Sequence, residues 1–207
     1  MTTPPGGHAL VYDMLMWPVE RAVLSAWRRR LGRRAGGRVL EIGAGTGSQL
    51  GWYGPGAVVT ALEPSLAMAA RSRPRAAAAR VPVVLVQGAA EALPFPAASF
   101  DTVVFSFAFC SVADPALVLA EARRVLIPGG RLLMLEHVHV LWQPGRWLQR
   151  LAAPAWAAAA GGCRLDRDTV GLVRAAGFEV LDVRAHALRW VVELLARTPC
   201  APTPDVG

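Results

Sequence analysis

The stretch Val39-Leu40-Glu41-Ile42-Gly43-Ala44-Gly45-Thr46-Gly47 reads as a buried strand that ends on an acid and breaks into a glycine-rich turn. Glycines there let backbone approach a bound ligand where a Cβ would collide. The spacing is G-x-G-x-G, and Ser48 stands three positions after Gly45. A dinucleotide turn needs G-x-G-x-x-G so that a helix N-terminus can receive a pyrophosphate. Glu41, just before the turn, would repel phosphate and attract an ammonium group.

A cationic amino-acid nucleoside, S-adenosylmethionine, fits both facts. Val58-Val59-Thr60-Ala61-Leu62 is a second apolar strand and ends at Glu63-Pro64. An acid at that tip, about twenty residues past the first turn, is where a βαβ unit holds the two ribose hydroxyls. Pro64 suits the first position of the next helix. A third strand, Val83 to Gln87, runs into Gly88-Ala89-Ala90-Glu91-Ala92-Leu93-Pro94-Phe95, and a fourth, Thr102 to Phe105, follows Ser99-Phe100-Asp101. Any one of these acids alone reads as a solvated strand end. The set, in this order, reads as a cofactor site.

These residues resemble the class I S-adenosylmethionine-dependent methyltransferases, in the small-molecule branch whose third motif is G-x-A-E-x-L-P-F before S-F-D. Cys110-Ser111-Val112, Glu121 to Gly130, Glu136-His137-Val138, Pro154-Ala155-Trp156 and Gly162-Cys163-Arg164-Leu165 are similar to the methyltransferase-like protein 7 group of thiol methyltransferases and their bacterial relatives. The resemblance covers about residues 39–178 and implies a Rossmann-like, doubly wound α/β fold. Its sheet would be seven-stranded and mostly parallel, with an antiparallel terminal strand. It also implies that Glu41 meets the cofactor's amino group, that Glu63 holds the ribose, and that Gly43, Ala44, Gly45 and Gly47 cradle the ligand. Ala89 and Ala90 would offer backbone and apolar contact to the adenine beside Glu91. Ser106 would offer its carbonyl to the ammonium, and Pro64 is expected among the cofactor-binding residues.

A chain of 207 residues fits one domain with a sizeable core. We expect a helical cap over 1–37, an α/β core over 38–198 and an inserted helical segment over 141–165. The net charge is +7, and all 22 basic residues are arginine. Lysine and asparagine are absent and isoleucine is scarce, a pattern that GC-rich coding explains without any function. Arg28-Arg29-Arg30 with Arg33-Arg34 has no interleaved aromatic platform, so it reads as a solvated helix end ahead of a nucleic-acid surface. Cys110, Cys163 and Cys200 form no C-x-x-C pair, which argues against a disulfide framework and a zinc site. No signal peptide or spanning segment is expected, in contrast to the anchored eukaryotic members of the group, and the expected location is cytoplasmic.

Before the first strand, apolar spacing over about 8–31 gives one or two helices, and in the family such a segment folds over the cofactor. Tyr12 either lies near the methionine end or packs as a half-buried aromatic. Asp114-Pro115 starts a helix that Gly129-Gly130 ends after Pro128, and Arg131 to Glu136 is a fifth strand. Asp166 caps a helix through Ala176, and strands follow over about 178–184 and 188–195.

Methyl transfer is an in-line displacement at a sulfonium, so alignment and dryness matter and no metal is expected. His137, then His139, is the base if the acceptor must lose a proton, or else a structural strand-end histidine. Cys110 reads as a packing residue ahead of a nucleophile. Trp142, Trp147 and Trp156 with Phe107 and Phe109 form an aromatic acceptor pocket, a weak membrane-surface contact, or ordinary helix packing. The expected acceptor is a small lipophilic molecule, a thiol ahead of a phospholipid amine or quinone. A cofactor-binding module without catalysis is the remaining reading.

Overall fold

A computed structural model of the protein describes residues 24–138, 162–186 and 190–200, with isolated positions between 144 and 153. The expected cap and insertion lie largely outside the described residues. In order, the elements are α1 (Ser25–Arg34), β1 (Gly37–Ile42), β2 (Ala57–Glu63), α2 (Leu66–Ala77), β3 (Val83–Gln87), β4 (Phe100–Ser106), α3 (Pro115–Val125), β5 (Leu126–His137), α4 (Thr169–Ala175), β6 (Glu179–His186) and β7 (Val191–Arg197).

The sheet order is β3-β2-β1-β4-β5-β7-β6. β1 to β5 pair in parallel, and β7 runs antiparallel between β5 and β6. The seven-stranded, mostly parallel sheet expected above is therefore observed. Chain order reverses between β1 and β4, so a ligand crevice opens above the carboxyl ends of those strands.

Each central strand is buried on both faces, because helices cover both sides. Alternation sends Leu40, Ile42, Val103, Phe105 and Met134 into one core with α3 and α4. Val39, Val104, Leu133 and Leu135 pack on the other side with Leu31 of α1 and Tyr53. Burying that apolar surface is the main stabilising term, about 1.5–3 kcal/mol per large side chain.

Three local expectations change. Pro64 lies before the second helix; Ser65 caps it by accepting from the Met68 amide at 3.4 Å. Asp168, not Asp166, caps α4 by accepting from Gly171 N at 2.9 Å. α3 starts at Asp114-Pro115 as expected but ends at Val125, and Gly129-Gly130 lies inside β5. Leu126 is already extended there and pairs with Phe100, so strand pairing takes over three residues earlier than the glycines would have stopped the helix.

Candidate active site

The amides of Gly43 and Ala44 both donate to the Leu62 carbonyl, at 2.9 and 3.0 Å, and pin the glycine turn to the end of β2. Gly43 has φ of 72°, and a Cβ on it would lie 2.6 Å from the Ala108 Cβ. Only glycine fits there. Gly45 has φ of 58° and no heavy atom within 4 Å of a built Cβ, so that side of it is open. Gly47, also at positive φ, packs over Leu50 and Ser72.

Glu63 ties this turn to the next loop. One carboxylate oxygen accepts from Gly45 N at 2.8 Å, the other from Ser65 N at 2.9 Å. Burial raises its pKa, and those two bonds oppose the rise. Each oxygen retains acceptor capacity, the requirement for gripping a pair of hydroxyls. Pro64 sits between Glu63 and the Ser65 cap.

Glu41 is 1% exposed, and its carboxylate accepts from the Tyr53 hydroxyl at 2.9 Å. Desolvation pushes its pKa up to about 7, opposed by the Tyr53 bond and the Arg28 charge and assisted by Glu63. A buried carboxyl poised near neutrality takes a proton or a ligand cation.

Arg28 overturns the reading of the arginine cluster as a solvated helix end. It is 7% exposed, donates to Ser106 Oγ at 2.6 Å and lies over the Phe107 ring. Gln49 bonds the Arg28 carbonyl at 3.0 Å, and Ser106 Oγ donates to Gln49 Oε1 at 3.4 Å. Arg30 and Arg34 reach Glu193, and Arg34 also reaches Asp182. Packing of α1 on β4 and β7 gives these charges partners that local spacing could not reveal. Sequence reasoning missed Arg28, Gln49 and Tyr53.

At the tips of β4 and β5, Phe107 adopts φ of 58°, a left-handed conformation that costs a non-glycine residue about 1–2 kcal/mol. Glu136, fully buried, holds the following turn by accepting from the amides of Ala108, Phe109 and Cys110 at 2.9–3.1 Å. Its pKa is raised by desolvation and restrained by those bonds. Phe109 takes the packing alternative among the three readings open to these aromatics. It is fully buried, edge-on to Phe105, with the Arg167 guanidinium over its ring and bonded to its carbonyl.

His137 tilts against Phe107, with ring centroids 4.8 Å apart. Its Nδ1 is 3.5 Å from Cys163 Sγ and 4.0 Å from Cys110 Sγ, and the two sulfurs are 3.1 Å apart. The hydrogen bond with Cys163, then burial, drives the Cys110 pKa well above the ordinary thiol range. That suits the packing role over the nucleophile. Sequence spacing carried no metal-ligand pattern, yet the fold gathers two thiols and an imidazole.

Ala89 bridges to Ala92, and Ala90 packs into the core beside Leu62 and Leu93, leaving its backbone for any ligand. Glu91 is half-buried. Glu121 accepts from Leu93 N at 2.8 Å and Arg124 bonds the Leu93 and Phe95 carbonyls, anchoring this loop on α3. Tyr12, His139, Trp142 and Trp156 lie outside the described residues.

A family described as a methyltransferase domain matches residues 40–134. The chain is 37% identical over 132 residues to a demethylmenaquinone methyltransferase of Thermus thermophilus, covering 60% of this chain and 60% of that protein. It is 32% identical over 167 residues to the human thiol S-methyltransferase TMT1B, covering 76% of this chain and 68% of that protein. The chain belongs to the class I S-adenosylmethionine-dependent methyltransferases. A solved S-adenosylmethionine-dependent methyltransferase of Thermotoga maritima superposes with a TM-score of 0.68 at 25% identity, over 93% of this methyltransferase and 98% of that chain. The matched region spans 60% of the length of the Thermus relative. The residues fit the family's methyl donor. Open space beside Gly45 and two buried carboxylates flanking one turn are what a cationic nucleoside requires. Among the described residues, no helix is long and apolar enough to cross a membrane.

Proposed function

We propose that this methyltransferase transfers a methyl group from S-adenosylmethionine to a small lipophilic acceptor, with a thiol favoured. The observation that carries the donor site is the placement of Glu41 and Glu63 on either side of a glycine turn whose Gly45 faces open space. When bound, the donor supplies a methyl group on a sulfonium. Glu63 takes the ribose hydroxyls, and Glu41, ionising from its raised pKa, takes the ammonium. Backbone at Ala89, Ala90 and Glu91 meets the adenine, and the Ser106 carbonyl faces the ammonium.

Anionic nucleophile and cationic donor lose charge as they react, so excluding water near Phe107 favours the transition state. Displacement at a sulfonium needs no Lewis acid. His137 has its Nδ1 turned to the two cysteines, so its base role would be carried by Nε2. Likeness to the human thiol S-methyltransferase supports the thiol, and likeness to the Thermus enzyme supports quinone-ring methylation as the second reading. Trp147 and Leu151 are both exposed, which supports a weak membrane-surface contact for a lipophilic acceptor. The cytoplasmic location is part of the same reading.

The test is release of S-adenosylhomocysteine from a panel of alkyl and aryl thiols, a demethylated quinol, phenols and amines. Turnover with thiols above the rest is expected. Turnover with the quinol alone moves the assignment to the second reading. Donor binding without turnover on any acceptor leaves a binding module.

A further inference from the structure

We propose that Cys110, His137 and Cys163 form a binding site for a thiophilic divalent cation of the zinc type, seated between the tips of β4 and β5 and the 162–165 segment. The three donor atoms lie within 4.8 Å of one another. Zinc takes thiolate sulfur at about 2.3 Å and imidazole nitrogen at about 2.0–2.1 Å in a tetrahedron, which places donors about 3.5–3.8 Å apart. The separations here are 3.1 Å between the sulfurs and 3.5 and 4.0 Å from sulfur to Nδ1. Opening the sulfur pair by roughly 0.7 Å and closing the Cys110 Sγ to Nδ1 distance by a few tenths of an ångström fits three corners of the tetrahedron, and a water takes the fourth. No backbone rearrangement is implied by a shift of that size in two side chains.

The charge also balances. Both cysteines are buried, and two thiolates with a neutral imidazole cancel a divalent cation, so no net charge is left in a site of low dielectric. The thiol protons leave for solvent as the cation binds. Glu136 and Arg167 are the neighbouring charges. Glu136 is committed to three backbone amides, and Arg167 bonds the Phe109 and Val112 carbonyls. Both hold the turn that presents Cys110.

The three donors come from three separate stretches of chain, so the cation would clamp the 162–165 segment over the strand tips. Arg164 N already donates to the Cys110 carbonyl at 2.9 Å across the same junction. Ligation through Nδ1 would leave Nε2 carrying its proton, so the cation and the base role of His137 exclude each other. The cation site does not depend on which acceptor is methylated.

The experiment uses the full chain, purified reduced and free of chelator, with zinc titrated in competition with a chromophoric chelator. One zinc per chain is expected. Cobalt substitution should give thiolate charge-transfer absorption, and zinc should protect Cys110 and Cys163, but not Cys200, from alkylation. Cys163→Ser should weaken zinc binding at least about tenfold, the loss that even a disturbed supporting group causes. Cys200→Ser, at an exposed position, should leave it unchanged. Substoichiometric zinc on the wild-type chain, or equal affinity in a Cys110→Ser, Cys163→Ser double variant, overturns the proposal. So does a reduced preparation that loses two hydrogens in mass on standing and then ignores zinc, which would make the pair a disulfide. Wild-type titration and alkylation keep the outcome decisive even if the variants fail to fold.

Discussion

Arg28 donates to Ser106 Oγ at 2.6 Å, joining the helix that precedes the sheet to the tip of its central strand β4. The guanidinium also lies over Phe107 and its charge acts on Glu41. Replacement by methionine keeps much of the volume and removes the bonds. Arg28→Met should cost about 1.5–3 kcal/mol, the range for a charged hydrogen bond lost in a buried place. Urea unfolding reads this directly, and a change below 0.5 kcal/mol would return the residue to the solvated surface.

Glu41 should make stability and donor affinity depend on pH in opposite directions. Its carboxyl sits at about 7 in the free protein against an ordinary value of 4.5. The fold therefore favours the neutral form. That contribution, about 3 kcal/mol, is complete below pH 4.5 and is lost as pH rises through 7. A ligand ammonium needs the ionised form, so S-adenosylmethionine should bind about fivefold tighter at pH 7 than at pH 6. Calorimetry at both values checks this. The dependence should flatten in Glu41→Gln, and an unchanged slope there would assign the proton elsewhere.

Glu63→Ala should weaken donor binding by about 1.5–3 kcal/mol, because it removes the acceptor for two hydroxyls and frees the Gly45 and Ser65 amides. The wild-type chain should ignore NAD. Tighter binding of NAD than of S-adenosylmethionine would sink the reading of the glycine turn.

Gly45→Ala separates fold from ligand. A Cβ there meets nothing within 4 Å, so only its φ of 58° carries a penalty, about 1–2 kcal/mol. Donor binding should fall much further, since the methyl enters the space reserved for ligand. Thermal melting with and without donor measures both. Equal loss in the two would show that the open side of Gly45 faces only water.

With thiol acceptors, turnover should rise with pH through each acceptor's own ionisation, because the thiolate attacks. The midpoint should move from one thiol to the next in step with acceptor pKa. His137→Ala should lower turnover mainly below that midpoint. A single midpoint shared by all thiols would mean that a group of the enzyme, not the acceptor, controls the rate.

The order of strands and helices, the glycine turn, the acids at 41 and 63 and the Asp114-Pro115 start were legible in the sequence. Each is a local pattern: apolar runs for strands buried on both faces, glycine where φ turns positive, a capping acid before proline. Two other ends failed locally for a stated reason, since Asp168 competes with Asp166 as cap and Leu126 is captured by pairing with Phe100 before Gly129 can end the helix.

Tertiary structure alone decided which side chains meet. Arg28 and Ser106 are 78 positions apart, and Cys110 and Cys163 are 53 apart. Periodicity and turn chemistry describe a residue's own neighbours along the chain and say nothing about such distances. The sequence by itself determined a glycine turn between two acids in a doubly wound sheet. Packing α1 on the sheet, and the 162–165 segment on the strand tips, turned a surface-like arginine into a buried one. The same packing turned two unrelated cysteines into a pair beside a histidine, because burial forces polar groups to find partners wherever the fold brings them.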